Sequence, residues 1–549
     1  MTTILNEEAI FPLLSPEELS CLRGVAKART YADGEFIFKA GDAAIDLVVV
    51  ESGAIEITNP TDLHRIIAVH HAGGFAGDID LLTGRPVIVT AKAMGETHVL
   101  QLPSNLIRAF LNRVPSLGEK LMTAFTLRRE ILSQSGTLGL RVIGPGHCRD
   151  TNLVREFLHK NFVPFVWMDP ETPDGKEHFE RIGSPKRTPA IECGNGRVLL
   201  DPGLRELAQE AGIWRQCPER EVDLAIVGAG PAGITTAVYA ASEGLSTLVI
   251  DRMGPGGQAG GSSRIENFIG FPAGLSGTEL ATRGVLQMLK FGAQMVAPVE
   301  VEQITVASQP DGRHILHLDC GAKIHCQVVL IATGVRWRRL EAKGAARFER
   351  AGIYYACTAV EASLYDGTDV VVVGAGNSAG QAVMFLAECC RTRRVHMVIR
   401  RTLGPGMSSY LAQRIRATSN VVVYEHSEVT SVDGSGRIER ITRRNNETEE
   451  EETIDCSALF VFIGAEPSAE WIPNSVMRDG SGYLLTGTDA SRSGAWPLTN
   501  RSPCPLETTV PGILAAGDIR SGSTKRVGFA VGDGSLAVTC THRLLSLRD

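Results

Sequence analysis

Asp223-Leu-Ala-Ile-Val-Gly228-Ala-Gly230-Pro231-Ala232-Gly233-Ile234 reads as an apolar strand that runs into a glycine turn and then a helix. In such a turn the first glycine allows the tight reversal and the second lets a pyrophosphate approach the backbone. The third lets the helix pack close, with its N-terminal amides facing the phosphates. The helix is expected over Ile234–Glu243. A second strand, Ser246–Ile250, ends at Asp251, 23 residues after Gly228, where a carboxylate bonds a ribose hydroxyl. A bare glycine turn is common, but strand, three glycines, helix, strand and acid in register define a dinucleotide site.

The pattern recurs at Val370-Val-Val-Val-Gly374-Ala-Gly376-Asn-Ser378-Ala379, followed by an expected helix, Gly380–Ala387, and strand, Val395–Ile399. This strand ends in Arg400-Arg401 instead of an acid. A ribose 2′-phosphate calls for cationic, bidentate partners there, so the second site favours NADPH over NADH. The alternative is that Arg391, Arg393, Arg394, Arg400 and Arg401 form a solvated basic face. Two dinucleotide sites in one chain point to a hydride relay from a nicotinamide to a bound flavin, and from there to an acceptor.

The 549 residues are enough for three or four domains, since one core rarely grows far beyond about 250 residues. A net charge of −7 gives no electrostatic reason to expect nucleic acid. No apolar run approaches the roughly 20 residues that cross a bilayer. The N-terminus lacks a basic segment followed by an apolar one, so no leader and a cytoplasmic location are expected. The twelve cysteines are expected to be reduced and mostly buried, and no two stand in CxxC spacing. Zinc is not expected, nor any other metal.

The first 130 or so residues read as β-rich, with strands Phe36–Phe38, Leu47–Val50, Ala54–Ile57, Ile66–Ala68, Val87–Ala91 and His98–Leu102. A helix is expected from Asn105 to about Ile131, then a polar junction over Arg128–Gly136. A small α/β unit follows. It should comprise a strand Leu140–Ile143, a helix carrying Leu153, Val154, Phe157 and Leu158, a strand Pro164–Met168, and a last helix Leu204–Gly212. Its hairpin would join Pro189–Cys193 to Val198–Leu200 through Asn195-Gly196, two residues that tolerate positive φ. Ser276-Gly-Thr-Glu279 is a capping box expected to open a helix through Leu289. Cys389-Cys390 should be core packing at a helix end, and Glu449–Glu452 should cap a solvated hairpin before the strand Ala458–Ile463.

From Val222 to Leu547 the chain resembles the low-molecular-weight thioredoxin reductases. Besides the two fingerprints, the likeness lies in Gly256-Gly257-Gln258 and Ile265-Glu266-Asn267-Phe-Ile-Gly-Phe-Pro272, similar to that family's FAD-contacting loops. Ile331-Ala332-Thr333-Gly334 is similar to the turn that leaves the FAD domain. Ala516-Gly517-Asp518 resembles the motif that meets the ribityl chain, and Lys525-Arg526-Val527 through Gly532 resembles the segment facing the isoalloxazine. The resemblance implies FAD and NADPH as cofactors, a homodimer, and a pyridine-nucleotide domain inserted into the FAD domain.

The departure from that family is at its redox centre, where a CxxC and an acid should stand. The stretch here is Gly352-Ile-Tyr-Tyr-Ala356-Cys357-Thr358-Ala359-Val360-Glu361. Aligned on the threonine, Ala356 and Ala359 occupy the two cysteine positions and Val360 that of the acid. Dithiol exchange needs an attacking and a resolving thiol, and alanine is neither. Cys357 and Glu361 are the remaining candidates for thiol and proton-donor roles, against the readings of an inert packed thiol and an exposed helix residue.

The middle unit resembles a thioredoxin- or glutaredoxin-like domain, with Thr188-Pro189 at that fold's cis-proline position. Cys148-Arg149-Asp150-Thr151 would be a one-cysteine active-site turn opening a helix at Asn152, where a helix terminus and Arg149 put positive charge beside the thiol. A docking domain without redox chemistry explains the same residues. The N-terminal block resembles a cyclic-nucleotide-binding β-roll. The cassette of that family has Gly-Glu and, some nine residues on, an arginine. In Gly77-Asp78-Ile-Asp80-Leu-Leu-Thr-Gly84-Arg85-Pro86-Val87, Asp78 replaces the glutamate, Val87 replaces the arginine, and Arg85 is two residues early. The expectation is a regulatory or dimerisation role, with nucleotide binding as the alternative.

The expected architecture is multidomain: a β-roll (1–132), a thioredoxin-like α/β unit (138–216), and two Rossmann-like three-layer α/β domains of the two-dinucleotide-binding type. Of these, 222–337 and 467–549 would bind FAD and 338–466 NADPH. The expected function is an NADPH-dependent FAD oxidoreductase passing electrons to an unidentified acceptor (small molecule, disulfide or redox protein) without the usual dithiol. The alternatives are a disulfide reductase relaying through Cys148 and a flavin- or NADPH-binding redox sensor.

Overall fold

The computed structural model of the protein describes residues 7–547 apart from 61, 135–138, 195, 215–216, 218 and 310–311. The chain divides into two compact units. One comprises Met1–Ile143, Asn161–Gln216 and Val285–Gln294, the other Gly144–Lys160, Cys217–Gly284 and Met295–Asp549.

In the first unit an antiparallel sheet runs in the order Lys27–Tyr31, Thr90–Leu102, Leu47–Asn59, Asp62–His71. The short expected strands fuse into longer ones. Leu47–Val50 and Ala54–Ile57 are one strand carried through Gly53, where φ is +84° and an added Cβ would lie 2.6 Å from the Glu96 carbonyl. Its register shifts there mark β-bulges that bend the strand without ending it. Only Thr90 and Ala91 of the expected Val87–Ala91 are strand, and they belong with His98–Leu102 to a single strand, Thr90–Leu102. The single helix expected from Asn105 is instead two, Ser104–Arg113 and Pro115–Gln134. Proline lacks an amide hydrogen and suits a first helical turn, so Pro115 ends one helix and opens the next. Arg128 and Arg129, read as a polar junction, are buried in this second helix. Of that junction, 130–134 continue the helix and 135–136 lie outside the described residues.

A four-stranded sheet follows in the order Val198–Leu200, Ala190–Glu192, Leu140–Ile143, Phe165–Met168. Its last pair is parallel and the others antiparallel. The Thr188–Pro189 peptide bond is cis. Asn195 lies outside the described residues; Gly196 has φ +81°, and Cys193 N donates to the Arg197 carbonyl across the hairpin. A helix not anticipated, Pro173–Arg181, starts on an N-cap threonine, Thr172, whose hydroxyl accepts from Gly175 N. Its signal was in the sequence, since Thr-Pro is an N-cap followed by an N1 proline.

The second unit carries two parallel-strand layers. In the first, Thr247–Ile250, Arg220–Val227, Lys323–Ile331 and Ile513–Ala515 lie side by side and parallel, with His314–Leu318 and Val301–Thr305 added antiparallel. In the second, Ile353–Tyr354, Ala458–Val461, Val370–Val373, Val395–Val398 and Val421–Tyr424 are all parallel. The core strands Val370–Val373 and Ala458–Val461 are continuous apolar runs, as sheets covered on both faces require. The chain passes between the two layers through Val335–Trp337 and returns through Ala465–Pro467, paired antiparallel. Among the described residues no helix is long and apolar enough to cross a membrane.

Candidate functional site

In each fingerprint the first glycine sits where a side chain has no room. At Gly228 φ is +110°, and a Cβ would lie 2.4 Å from the Ala332 carbonyl oxygen. At Gly233 a Cβ would lie 1.9 Å from the Gly228 oxygen, so the helix Pro231–Ser242 packs directly on the turn. Gly230 is the N-cap and Pro231 the first residue of that helix, which leaves its first amides open. Gly257 faces Gly230 backbone to backbone, a Cβ on it being 2.9 Å from the Gly230 Cα. A Cβ on Gly517 would meet that of Ala232 at 3.2 Å. These close approaches leave a groove of bare backbone that fits a pyrophosphate.

Asp251 holds this turn together. One of its oxygens accepts from Ala229 N and the other from Met253 N and Gly254 N, each at 2.8 Å. The Gln258 amide donates to the Val335 carbonyl, and Thr333 Oγ1 to the Ser468 carbonyl at 3.1 Å, just before Gly334 at φ +62°. Asn267, Phe268, Arg526, Val527 and Phe529 line a cleft of 460 Å³ that also reaches Asp533. Asp533 has no local signal in the sequence, since its partners Gly517 and Arg520 stand 16 and 13 residues before it. Its carboxylate accepts from Gly517 N at 3.0 Å and from the Arg520 guanidinium at 3.1 Å on each oxygen, tying the Gly-Asp motif to the last helix. Burial raises the Asp518 carboxyl above its ordinary range, opposed by Lys525.

The second cradle repeats the first. Gly374 has φ +136°, and a Cβ there would lie 2.3 Å from the Phe462 carbonyl oxygen. Gly376 is the N-cap of the helix Asn377–Cys389, Ser378 is exposed at its first turn, and Ala379 is buried beneath. Asn377 accepts from Ser408 N at 2.7 Å. Arg400 and Arg401 are exposed where the neighbouring strand ends, and among the described residues neither forms an ion pair. Arg393 does not belong with them. It is fully buried and donates to the Leu386 and Ala362 carbonyls and to Asp366, so the basic face is smaller than five arginines suggested. Cys389 and Cys390 are not core packing as expected. The first is exposed with its sulfur 3.2 Å from Arg393 Nη1, and the second is half-buried.

Cys357 is buried at 4% exposure and pairs in a parallel bridge with Ser262. Burial first, then the nearby Glu361, pushes its thiol well above the ordinary range, away from the thiolate that redox exchange needs. Ala356 packs by Gly261, where a Cβ would lie 3.1 Å from its own. Glu361 accepts from Thr358 N at 3.0 Å and from the Thr358 hydroxyl, which closes the first turn of the helix Ala359–Leu364. Burial raises its carboxyl, with these hydrogen bonds opposing. Cys148, half-buried, precedes the helix Arg149–Lys160, which starts three residues earlier than expected, and its carbonyl accepts from Asn152 N at 3.1 Å. That helix touches the region of the missing dithiol. Asn152 donates to the Arg350 carbonyl at 2.8 Å, and Glu156 pairs with Arg350 at 3.8 Å.

Two glycine cradles on parallel sheets, joined by a two-strand connector, define a two-dinucleotide oxidoreductase. Residues 222–534 match the pyridine nucleotide-disulphide oxidoreductases and residues 28–114 match the cyclic nucleotide-binding domain. The chain belongs to the pyridine nucleotide-disulphide oxidoreductase family and is a pyridine-nucleotide-dependent flavin oxidoreductase of thioredoxin-reductase-like type, a class whose members bind FAD and NADPH. It is 30% identical to the thioredoxin reductase of Treponema pallidum over 58% of this chain and 95% of that protein. It is 28% identical to an NADH dehydrogenase of Bacillus subtilis over 63% of this chain and 62% of that protein. The crystal structure of T. acidophilum thioredoxin reductase superposes with a TM-score of 0.52 at 27% identity, covering 59% of this chain and 99% of that one.

Proposed function

We propose that the chain moves electrons from NADPH through FAD to an acceptor that meets the flavin without a CxxC dithiol. FAD would sit on 222–337 and 467–549, and NADPH on 338–466. Bound FAD would supply two-electron chemistry at its ring. Gly228, Gly230 and Gly233 would hold its pyrophosphate, Asp251 its ribose, and Asp518 its ribityl chain. Gln258, Asn267, Arg526 and Val527 would bound the ring. Gly374, Gly376, Ser378 and Ala379 would take the NADPH pyrophosphate, and Arg400 and Arg401 its 2′-phosphate.

The observation that carries this reading is Ala356-Cys357-Thr358-Ala359, in which the one thiol is buried and held protonated. Relatives named for reducing thioredoxin and for oxidising NADH support electron transfer that starts from a reduced nicotinamide. Anaerobic stopped-flow absorbance tests the input: NADPH should bleach the bound flavin in a single turnover, and a flavin that stays oxidised would sink the proposal. Steady-state assays of Cys357→Ser and Cys148→Ser test the output. Both variants should keep turnover with quinone, oxygen and disulfide acceptors within about twofold of wild type. If Cys148→Ser abolishes disulfide reduction alone, the relay through the middle domain replaces direct transfer.

A further inference from the structure

The β-roll matches a domain named for cyclic-nucleotide binding, yet its cassette is already filled by the protein itself. Arg129, from the helix Pro115–Gln134, places Nη2 2.7 Å from Asp78 Oδ2 and also on Asp80 Oδ2. Asp78 Oδ1 accepts from Asp80 N at 2.9 Å. The preceding residue, Arg128, donates to the Ile10, Phe75 and Gly77 carbonyls at 2.9–3.0 Å and lies 4.3 Å over the Phe75 ring. Asp80, Arg128 and Arg129 are all buried. Two carboxylates and two guanidiniums therefore form a neutral buried network around the opening of the cassette. A cyclic phosphate entering it would meet Asp78 and Asp80 and would have to displace Arg129, leaving buried charge without a partner.

The cassette tip is committed as well. The Arg85 guanidinium donates to the Asn161 carbonyl, and Pro86 packs so tightly on Gly212 that a Cβ there would lie 2.4 Å from its Cδ. Phe162 packs against the same apolar core that holds Leu81, Leu82 and Phe125. Val87, where an arginine would stand, is buried.

We infer that the cassette is an internal clamp. Arg129 stands in for the ligand, and Arg85 and Pro86 hold the Asn161–Phe162 segment and Gly212, so the cassette is held in place without nucleotide. Thermal unfolding of the full-length, flavin-loaded protein should show no change in Tm with cyclic AMP or cyclic GMP at millimolar concentration. A Tm that rises with nucleotide concentration overturns the inference. Arg129→Met should lower the Tm by several degrees, and Asp78→Asn/Asp80→Asn/Arg129→Met should regain at least half of that loss. Equal losses would mean Arg129 only fills space. Hydrogen exchange needs no change in the core: Arg85→Ala should speed exchange at Asn161 and Phe162 about tenfold, and unchanged exchange there would remove the tip contact.

Discussion

Arg400 and Arg401 are the residues whose identity the chemistry constrains most. Both are exposed, and among the described residues neither is neutralised by an acid, so both remain available to a 2′-phosphate. A hydrogen bond to a charged group contributes about 1.5–3 kcal/mol, so removing both guanidiniums should weaken NADPH by at least tenfold. Arg400→Ala/Arg401→Ala should raise KM for NADPH by that factor and leave KM for NADH within about twofold. Parallel initial-rate measurements with the two nucleotides check this, and equal losses with both would reassign the pair to the solvated face. Gly374 sets a steric limit instead. Gly374→Ala puts a Cβ 2.3 Å from the Phe462 oxygen at φ +136°, so it should abolish flavin reduction by NADPH while FAD stays bound at full stoichiometry. Fluorescence of the released flavin gives the stoichiometry. Both fingerprints were legible because glycine spacing and a strand-end charge are local. Asp533 and the Ser262–Cys357 bridge were not, because their partners are distant in sequence.

At the scale of elements, the split at Pro115 and the fused strands show where local reading stops. Glycine at positions 53 and 95 reads as an end of structure, but in a roll the pairing of long neighbours carries the strand through a bulge. The same packing creates a pH response in the strand Asp62–His71. His70 is buried beside Arg128 and His71, with the Phe11 ring 5.7 Å away. Burial first, then the charges on Arg128 and His71, hold its pKa down from 6.5 to about 3. A depressed folded pKa means that the unfolded chain binds the proton first. The contribution is therefore present above pH 6.5 and is lost as pH falls toward 3, at up to about 1.4 kcal/mol per unit. Asp78 acts in the opposite sense. Its folded pKa is pushed up to about 6 by burial, so its contribution is present at low pH and lost as pH rises through that value. Only a comparison isolates the histidine. Urea unfolding at pH 7 and pH 5 should show a smaller loss on acidification for His70→Phe than for wild type, and identical losses would mean that His70 titrates normally.

In the whole molecule, the parallel layers of the second unit are joined covalently only by Val335–Trp337 and Ala465–Pro467, so their mutual orientation rests on side-chain contacts. One set converges on Glu266, in the loop that also carries Asn267. Arg414 Nη1 and Tyr410 Oη each lie 3.5 Å from Glu266 Oε2, and Arg414 also pairs with Glu388 at 2.6 Å. A second set is on the helix Arg149–Lys160, which meets the Arg350 carbonyl through Asn152 and Thr278 Oγ1 through His159 at 3.1 Å. Glu266 and Arg414 are 27% and 40% exposed, and ion pairs in that setting contribute only about 0–1 kcal/mol. That is too little to lock the orientation and enough to bias it by a few fold. Glu266→Gln/Arg414→Ala should therefore change the rate of flavin reduction by about two- to fivefold with FAD content unaltered. Raising salt, which screens exposed charges over a Debye length of about 10 Å at 0.1 M, should shift the wild-type rate in the same direction and leave the variant unmoved. If the variant and wild type share one salt dependence, the Glu266 network has no part in orienting the two layers, and the helix carrying Asn152 and His159 is left as the contact that sets their angle.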